Sequence, residues 1–258
     1  MYKFRNIAHR GASYAAPENT IAAIRTAQEM GADAIEIDVH LSKDGHVVVI
    51  HDLVLDRTTN GSGLVANYTL EELKELDAGI KFSKEFKGEK IPLLSEVFDF
   101  IKNSNMGILI ELKGWANHYE GMEDKVVELI NKYNFKDRAI VTSFQKDKIL
   151  EIKKIDPSIK TGINFFFLGA KPELYVKKVK ADAVYIPNFC FNKEKTKGKI
   201  KALKDSGYIV GTFTPDDKKA MMKVIKLGVD DILTNRPDML NSLKKKKRIS
   251  KIIKELIK

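Results

Sequence analysis

Two carboxylates interrupt an apolar run near the start of the chain, and their spacing indicates a metal site. Glu36 and Asp38 are separated by one residue and flanked by isoleucine and valine. On a β-strand, side chains two positions apart point to the same face, so the two acids share a face. Adjacent carboxylates repel each other unless a positive charge lies between them, and a hard divalent cation accepts such oxygen ligands. The segment therefore predicts a cation site.

A third acid repeats this pattern farther along the chain. Glu111 and Lys113 are also two positions apart, at the end of the apolar run 108–113. Three carboxylates can hold a single Ca²⁺ or Mg²⁺ and leave coordination positions for water and a substrate oxygen. Carboxylate oxygens accept both ions, so the pattern leaves the identity of the metal open. The alternative is that the acids form ion pairs with Arg10 and Lys113 inside a barrel.

Two histidines follow apolar segments and are predicted to stand beside these acids. His9 follows the first apolar segment, and His51 follows a run of three valines and an isoleucine. Their near-neutral pKa suits general base and general acid catalysis, and which histidine takes which role stays open. A structural role is the alternative. Arg10 offers a planar fork that suits a phosphate, and Lys113 adds a point charge. The set predicts a metal-assisted hydrolase of an anionic substrate.

Strand-like and helix-like segments alternate along the chain, and this alternation predicts how these residues are positioned. Eight apolar strands with intervening helices fit a closed parallel (β/α)₈ TIM barrel, with an open doubly wound sheet as the alternative. No Gly-rich fingerprint follows the first strand, and polar residues recur at the strand ends, which favours the barrel. The first helix is predicted over residues 17–30, because Pro17 suits a helix start. Turn-rich residues 53–92 are predicted as a small insertion after the second strand.

Length and composition exclude several classes of protein. A chain of 258 residues suits one barrel domain over 1–258, and 43% hydrophobic and 31% charged residues are typical of a soluble globular protein. No apolar run approaches the roughly 20 residues of a membrane-spanning helix. The N-terminus has no apolar signal segment, so we expect a cytoplasmic protein. Cys190 is the single cysteine, which excludes a disulfide framework and a cysteine zinc site within the chain.

The positive charge is concentrated at the C-terminal end. Eight basic residues and one acid between Lys244 and Lys258 give +7 of the net charge of +10, which leaves +3 for the rest of the chain. The nearly balanced body argues against a nucleic-acid-binding protein. Apolar residues in 244–258 are spaced as one face of a helix. This predicts either the closing barrel helix with a solvated basic face or peripheral contact with an anionic membrane.

Seven short motifs in a fixed order resemble those of the glycerophosphodiester phosphodiesterase family. They extend from residue 9 to residue 237, and their combination carries the resemblance rather than any one of them. The motifs are His9-Arg10-Gly11, Pro17-Glu18-Asn19-Thr20, Glu36-Ile37-Asp38, Lys43-Asp44-Gly45, His51-Asp52 with Arg57-Thr58-Thr59 and Gly61, Glu111-Leu112-Lys113, and Thr234-Asn235-Arg236-Pro237.

The resemblance implies a fold, a reaction and a set of residue roles. It implies a (β/α)₈ barrel with a segment inserted after the second strand. It also implies hydrolysis of a small-molecule glycerophosphodiester to sn-glycerol 3-phosphate and an alcohol such as choline or ethanolamine. The implied site residues are Glu36, Asp38 and Glu111 for one divalent cation, His9 and His51 for acid–base catalysis, and Arg10 and Lys113 for the phosphate.

Two departures from the family pattern concern the substrate contacts. The family often carries a tryptophan before the threonine of a late strand, whereas Gly211 precedes Thr212 here. This predicts the loss of an apolar wall beside the glycerol, with Thr212 as a substrate contact. Trp115 and residues 165–167 lie in loops of the same face and are predicted to replace that wall, with ordinary loop or core positions as the alternative. Asn235 stands where the family often has aspartate.

Two other functions stay open. The apolar loops and the basic end also suit lysophospholipase D-type hydrolysis of lysophospholipids at a membrane surface. A barrel that binds phosphate head groups or anionic lipid without catalysis is a further alternative, although such a barrel has no need for two histidines beside a cation site. The sequence does not indicate an oligomeric state.

Overall fold

The structure is a computed structural model that describes residues 4–114, 119–192 and 194–244. Strands and helices alternate through these ranges. The strands are β1 (Arg5–His9), β2 (Ala34–Leu41), β3 (Val47–Val49), β4 (Gly107–Leu112), β5 (Ala139–Ser143), β6 (Lys160–Asn164), β7 (Ala183–Pro187), β8 (Ile209–Phe213) and β9 (Asp231–Thr234).

The helices cover the outside of the strands. They are α1 (Ile21–Glu29), α2 (Leu70–Glu75), α3 (Leu94–Ile101), α4 (Met122–Lys132), α5 (Lys146–Ile155), α6 (Pro172–Lys178), α7 (Glu194–Asp205), α8 (Lys218–Leu227) and α9 (237–244). Within the described part of the chain, no helix combines the length and the hydropathy needed to cross a bilayer.

Eight of the strands form a closed parallel barrel. Each strand from β4 to β8 pairs with the next one, β2 pairs with β4, and β1 pairs with both β9 and β2, which closes the ring. β3 lies outside the ring and pairs antiparallel with β2. The predicted (β/α)₈ barrel is confirmed.

Apolar side chains fill both sides of the strands, which explains why the strands read as nearly continuous apolar runs. Ile7, Leu109, Ile140 and Tyr185 belong to the cluster inside the barrel. The opposite strand faces pack against the helices in two larger clusters. Because side chains alternate along a strand, the polar residues above the inner cluster point into the barrel mouth.

The predicted insertion is also confirmed, and it carries a small core of its own. Val47, Val48 and Val49 pair with the end of β2, and the following residues contain α2. Leu55 and Leu73 are fully buried in a cluster that belongs to this segment. We call residues 47–92 the cap. His51 lies just after β3, so the cap supplies one of the two candidate histidines.

The first helix begins later than predicted. Helix α1 starts at Ile21 rather than Pro17, and Thr20 caps it by accepting the N–H of Ala23 at 3.2 Å. Asn19 adopts a left-handed backbone conformation with φ of 59°, which a continuous helix cannot include. The predicted start is therefore wrong. The turn that replaces the first helical residues directs the Asn19 side chain to Asp38, at 2.8 Å.

Candidate active site

One cavity of about 450 Å³ lies at the C-terminal end of the barrel strands. All seven residues implied as cation ligands, acid–base groups and phosphate contacts line it: His9, Arg10, Glu36, Asp38, His51, Glu111 and Lys113. Trp115, also predicted as a substrate contact, lies outside the described residues. The structure thus brings the predicted charged and titratable residues together at the barrel mouth.

The three acids converge because of the register of β1, β2 and β4. His9 is the Cα partner of Glu36, and Asp38 is the Cα partner of Glu111. Glu36, Asp38 and Glu111 are all buried, and one carboxylate oxygen from each lies within 4.8 Å of the others. This spacing allows a single cation to contact all three.

A partner fixes each carboxylate of this cluster. The backbone N–H of Arg10 donates to Glu36 at 3.0 Å. The side-chain amide of Asn19 donates to Asp38, and that of Asn164 donates to Glu111 at 3.0 Å. Such donors orient the ligands of a metal. An all-oxygen set of oriented, buried carboxylates fits a hard divalent cation such as Ca²⁺ or Mg²⁺.

Asn164 is a site residue that the sequence interpretation missed. It ends β6 and lines the cavity, where its amide reaches Glu111. The same signal that identified the other residues, a polar side chain at the C-terminal end of an apolar strand, could have identified it.

The electrostatics of the cluster favour a bound cation. Burial raises the pKa of Glu36 well above its ordinary value, and the neighbouring charges of Asp38 and Glu111 raise it further. Burial also raises the pKa of Glu111, despite the charge of Lys113. For Asp38, burial opposes ionisation, but the charges of Lys113 and Arg10 outweigh it and hold the pKa below its usual range. A cation would relieve the repulsion that Glu36 experiences.

Arg10 and Lys113 form the predicted ion pairs as well as lining the cavity. Lys113 contacts Glu111 and lies 2.9 Å from Asp38. Arg10 pairs with Glu18 at 2.9 Å, and its Nε lies 3.4 Å from Asp38. The ion pairs and the acidic cluster therefore coexist, which combines the two arrangements considered from the sequence.

His9 is held with one ring nitrogen facing the acidic cluster. Its Nδ1 lies 2.7 Å from the Asn235 side-chain oxygen, and its Nε2 lies 3.9 Å from Glu36. The amide nitrogen of Asn235 donates to Asp216 at 2.5 Å, which directs the amide oxygen to the ring. The proton therefore sits on Nδ1, and Nε2 carries the lone pair. Burial, and then the charge of Arg10, lowers the pKa of His9 to about 4.

His51 is held by a carboxylate. Its Nδ1 lies 2.6 Å from Asp52, and Arg57 donates to the other oxygen of Asp52 at 2.7 Å. Burial lowers the pKa of His51, although the charge of Asp38 and the hydrogen bond to Asp52 act in the opposite direction. As for His9, the anchored Nδ1 leaves Nε2 as the nitrogen that can exchange a proton with a substrate.

His40 supports His51 from within β2, and the sequence analysis gave it no role. Its Nε2–H donates to the His51 carbonyl at 3.0 Å, which leaves Nδ1 to accept the Tyr119 hydroxyl at 2.8 Å. Burial lowers the pKa of His40 to about 4, so the ring is neutral at pH 7. His40 thus holds the backbone that carries the candidate catalytic ring.

Aromatic side chains line the cavity, and one of them, Phe166, belongs to the residues 165–167 that were predicted to replace a lost apolar wall. Phe213 lines the cavity together with Thr214, Phe144 and Phe166. Thr212, predicted as a substrate contact, is fully buried and does not line the cavity. It shares its strand face with Val210, which packs in a cluster against the helices. At the end of β8, the cavity is lined by Phe213 and the following Thr214 rather than by Thr212.

The space beside Gly211 is filled rather than open. A Cβ atom at Gly211 would lie 2.3 Å from Cδ1 of Tyr185, whose ring also lines the cavity. Glycine at this position accommodates the tyrosine ring. The substitution of the family tryptophan by Gly211 therefore does not remove an apolar surface here.

Comparison with known proteins agrees with this geometry. The family model for the glycerophosphoryl diester phosphodiesterase family matches residues 9–239. The glycerophosphodiester phosphodiesterase of Caldanaerobacter subterraneus subsp. tengcongensis is 43% identical over 240 residues, which cover 93% of this chain and 97% of that protein. The glycerophosphodiester phosphodiesterase of Bacillus altitudinis is 40% identical over 232 residues, 90% of this chain and 94% of the other.

Solved structures give the same relationship. A phosphodiesterase of Oleispira antarctica, in complex with the product sn-glycerol-3-phosphate, is similar with a TM-score of 0.86 and 32% identity over 92% of this chain and 94% of that one. A glycerophosphodiester phosphodiesterase of Agrobacterium tumefaciens has a TM-score of 0.82 and 31% identity over 94% of this chain and 100% of that one. The chain therefore belongs to the glycerophosphoryl diester phosphodiesterase family.

Proposed function

We propose that the chain hydrolyses glycerophosphodiesters to sn-glycerol 3-phosphate and an alcohol, with one divalent cation at Glu36, Asp38 and Glu111. The observation that carries this proposal is the placement of His9 and His51, each anchored through Nδ1, in the same cavity as the three carboxylates. A barrel that only binds phosphate would not require two imidazoles held in this way. Family membership supports the same reaction.

The charges that line the cavity suit a monoanionic diester. Among the described residues, Arg10 and Lys113 face three carboxylates there, and with all three ionised around a cation these side chains carry one negative charge in excess. A divalent cation would change this excess to a single positive charge, and the phosphate of a diester would then neutralise it. The charged residues are therefore balanced when both the cation and the substrate are bound.

Proton transfer is assigned to the two histidines. Nε2 of one ring accepts the proton of the attacking oxygen as the new O–P bond forms, and Nε2–H of the other ring protonates the departing alkoxide as the old P–O bond breaks. The attacking oxygen belongs to water or to the 2-hydroxyl of the glycerol moiety. Arg10 and Lys113 bind the phosphoryl oxygens and stabilise the negative charge that develops on these oxygens in the transition state. A bound cation would supply Lewis-acid stabilisation of those oxygens.

The test is release of glycerol 3-phosphate from glycerophosphocholine by metal-stripped protein, with Ca²⁺ or Mg²⁺ added back. We expect activity only with an added ion. His51→Ala should lower kcat/KM by about 10²–10⁴, the range for a lost acid–base group. Glu36→Gln should raise the ion concentration that activity requires, because it removes one charged ligand of the cation. His46→Ala is the matched control, because His46 lies in an exposed turn and pairs with Asp44 outside the cavity. A wild-type protein that is inactive with both ions would contradict the proposal.

The predicted contact of residues 244–258 with an anionic membrane stays a prediction, since residues 245–258 lie outside the described ranges.

A further inference from the structure

Five phenylalanines form a path from the cavity to the outside of the barrel. Phe144, Phe166 and Phe213 line the cavity, and the rings of Phe144 and Phe166 stack with centroids 4.4 Å apart. The next residue along the chain, Phe167, contacts Phe189 edge to face at 6.0 Å. We call these five residues the aromatic strip.

The outer part of the aromatic strip is exposed to an unusual degree. Phe166, Phe167 and Phe189 are 63%, 73% and 55% exposed. Single exposed apolar residues are common, but a contiguous patch beside a cavity marks a binding surface. The two loops that carry these rings also contact each other, because the Cys190 thiol donates to the Phe166 carbonyl at 3.5 Å. The two segments that carry the exposed rings therefore lie side by side at the cavity mouth.

The cavity has two chemically different halves. The charged side chains and the two histidines come from β1, β2, β4, the residues that follow them and the cap. The phenylalanines come from β5, β6 and β8 or the residues that follow them. A phosphodiester held by the charged half would direct one substituent toward the aromatic half. Phe167 and Phe189 do not line the cavity, so the strip continues outside it.

We propose that the aromatic strip binds the hydrocarbon chain of a lysophospholipid, whose phosphate occupies the site described above. This inference rests on the proposed function and specifies its substrate class. Phenylalanine offers no hydrogen bond, so the strip favours an apolar occupant over a sugar or a peptide backbone. Continuity with the cavity favours a chain covalently attached to the reacting diester over a separate protein partner.

The experiment compares glycerophosphocholine with lysophosphatidylcholines of six, eight and ten carbons, all below their micelle-forming concentrations. Complete burial of a methylene corresponds to about fourfold in affinity, and burial on one side against an open strip to about twofold. We therefore expect kcat/KM to rise about twofold for each added methylene. The double variant Phe167→Ser/Phe189→Ser should remove this rise and leave glycerophosphocholine hydrolysis unchanged, because both residues lie outside the cavity.

Phe82→Ser is the matched control, since Phe82 is 45% exposed in the cap and contacts Phe86 edge to face. Rates that do not depend on chain length, or that the double variant lowers equally for all substrates, would overturn the inference. If hydrolysis were faster only on lipid vesicles, and all dissolved substrates reacted at the same rate, the inference would be overturned in favour of a membrane-docking surface.

If no substrate were turned over, the proposed function would be contradicted. Measurements of ligand binding would then test the aromatic strip independently of catalysis. Calorimetry with octanoyl-lysophosphatidylcholine should give tighter binding than with glycerophosphocholine, and the double variant should lose the difference. Equal binding of the two ligands would overturn the inference on its own.

Discussion

At His9, a chain of hydrogen bonds runs from the ring to the Asn235 amide and on to the Asp216 carboxylate. Asp216 also accepts the Asn235 backbone N–H and the Thr234 hydroxyl, each at 2.8 Å. A carboxylate accepts hydrogen bonds only, so it determines which end of the amide faces His9. Asp216 is thus a positioning residue for His9, and it is far from His9 in the sequence.

Removal of Asp216 should therefore affect catalysis through the His9 tautomer. We expect Asp216→Ala to lower kcat by about 10- to 100-fold, less than the loss of an acid–base group, with little change in KM. Nitrogen NMR of the His9 ring should show the proton moving from Nδ1 toward Nε2. Asp217→Ala is the control, since Asp217 caps α8 and accepts the Ala220 N–H instead. An unchanged tautomer in the Asp216 variant would contradict this role.

At His51, the orienting carboxylate of Asp52 should also make the free energy of unfolding depend on pH. Hydrogen bonds from Arg57 and then from His51 lower the pKa of Asp52 from 3.8 to about 2. A lowered pKa in the folded state stabilises the fold above the unfolded value of 3.8, and this contribution is lost as the pH falls toward 2. Wild type should therefore exceed Asp52→Asn in free energy of unfolding at pH 5 by up to about 1 kcal/mol, because the ion pair is partly exposed. Urea titrations at pH 5, 3.5 and 2.5 measure the difference, and a constant difference would exclude this mechanism.

At the scale of elements, β6, β7 and β8 are adapted to the Tyr185 ring. A Cβ atom at Gly162 would lie 2.7 Å from that ring, on the side opposite the contact with Gly211. Gly211→Ala should therefore lower the free energy of unfolding by about 1–3 kcal/mol, the range for an overpacked core. Gly169→Ala is the control, because nothing lies within 4 Å of the added methyl group. Chemical denaturation measures both, and equal stabilities would show that the ring moves freely.

Strand β8 shows a side-chain direction that could not be predicted from the sequence. Residues 211–214 contain two threonines separated by one phenylalanine, and a motif match alone does not say which side chains enter the barrel. Pairing with β7 places Gly211 beside Tyr185, and alternation then directs Thr212 outward and Phe213 inward. The side-chain direction follows from strand register, which depends on the whole barrel.

Other parts of the site could be predicted from the sequence, because a short local pattern indicates them. Glu36, Asp38, Glu111 and Lys113 interrupt apolar strands at a spacing of two, so a few neighbouring residues indicate both the strand and the shared face. Asp216 and His40 act on the site through contacts with other elements of the fold. No local pattern distinguishes such residues from ordinary polar ones.

At the scale of the whole molecule, the barrel divides its tasks along the chain. The first four strands and the cap supply the reacting groups, and the later strands supply the apolar wall. Asn235 follows the last strand, β9, and its side-chain oxygen contacts His9 at the end of the first strand. Closure of the ring between β9 and β1 is therefore required for the site, since it joins the last strand of the barrel to the first at His9, a proposed catalytic residue.

The separate core of the cap has a consequence for heat resistance. His51 depends on a segment that buries its own few apolar residues. Its contacts with the barrel include the short β3 ladder, the hydrogen bond from His40 to His51 and the Arg57 ion pair with Glu18. Small cores open at a lower free energy than large ones. Catalysis would then fail on warming while the barrel is still folded, so the working temperature of the protein is set by its smallest cooperative unit.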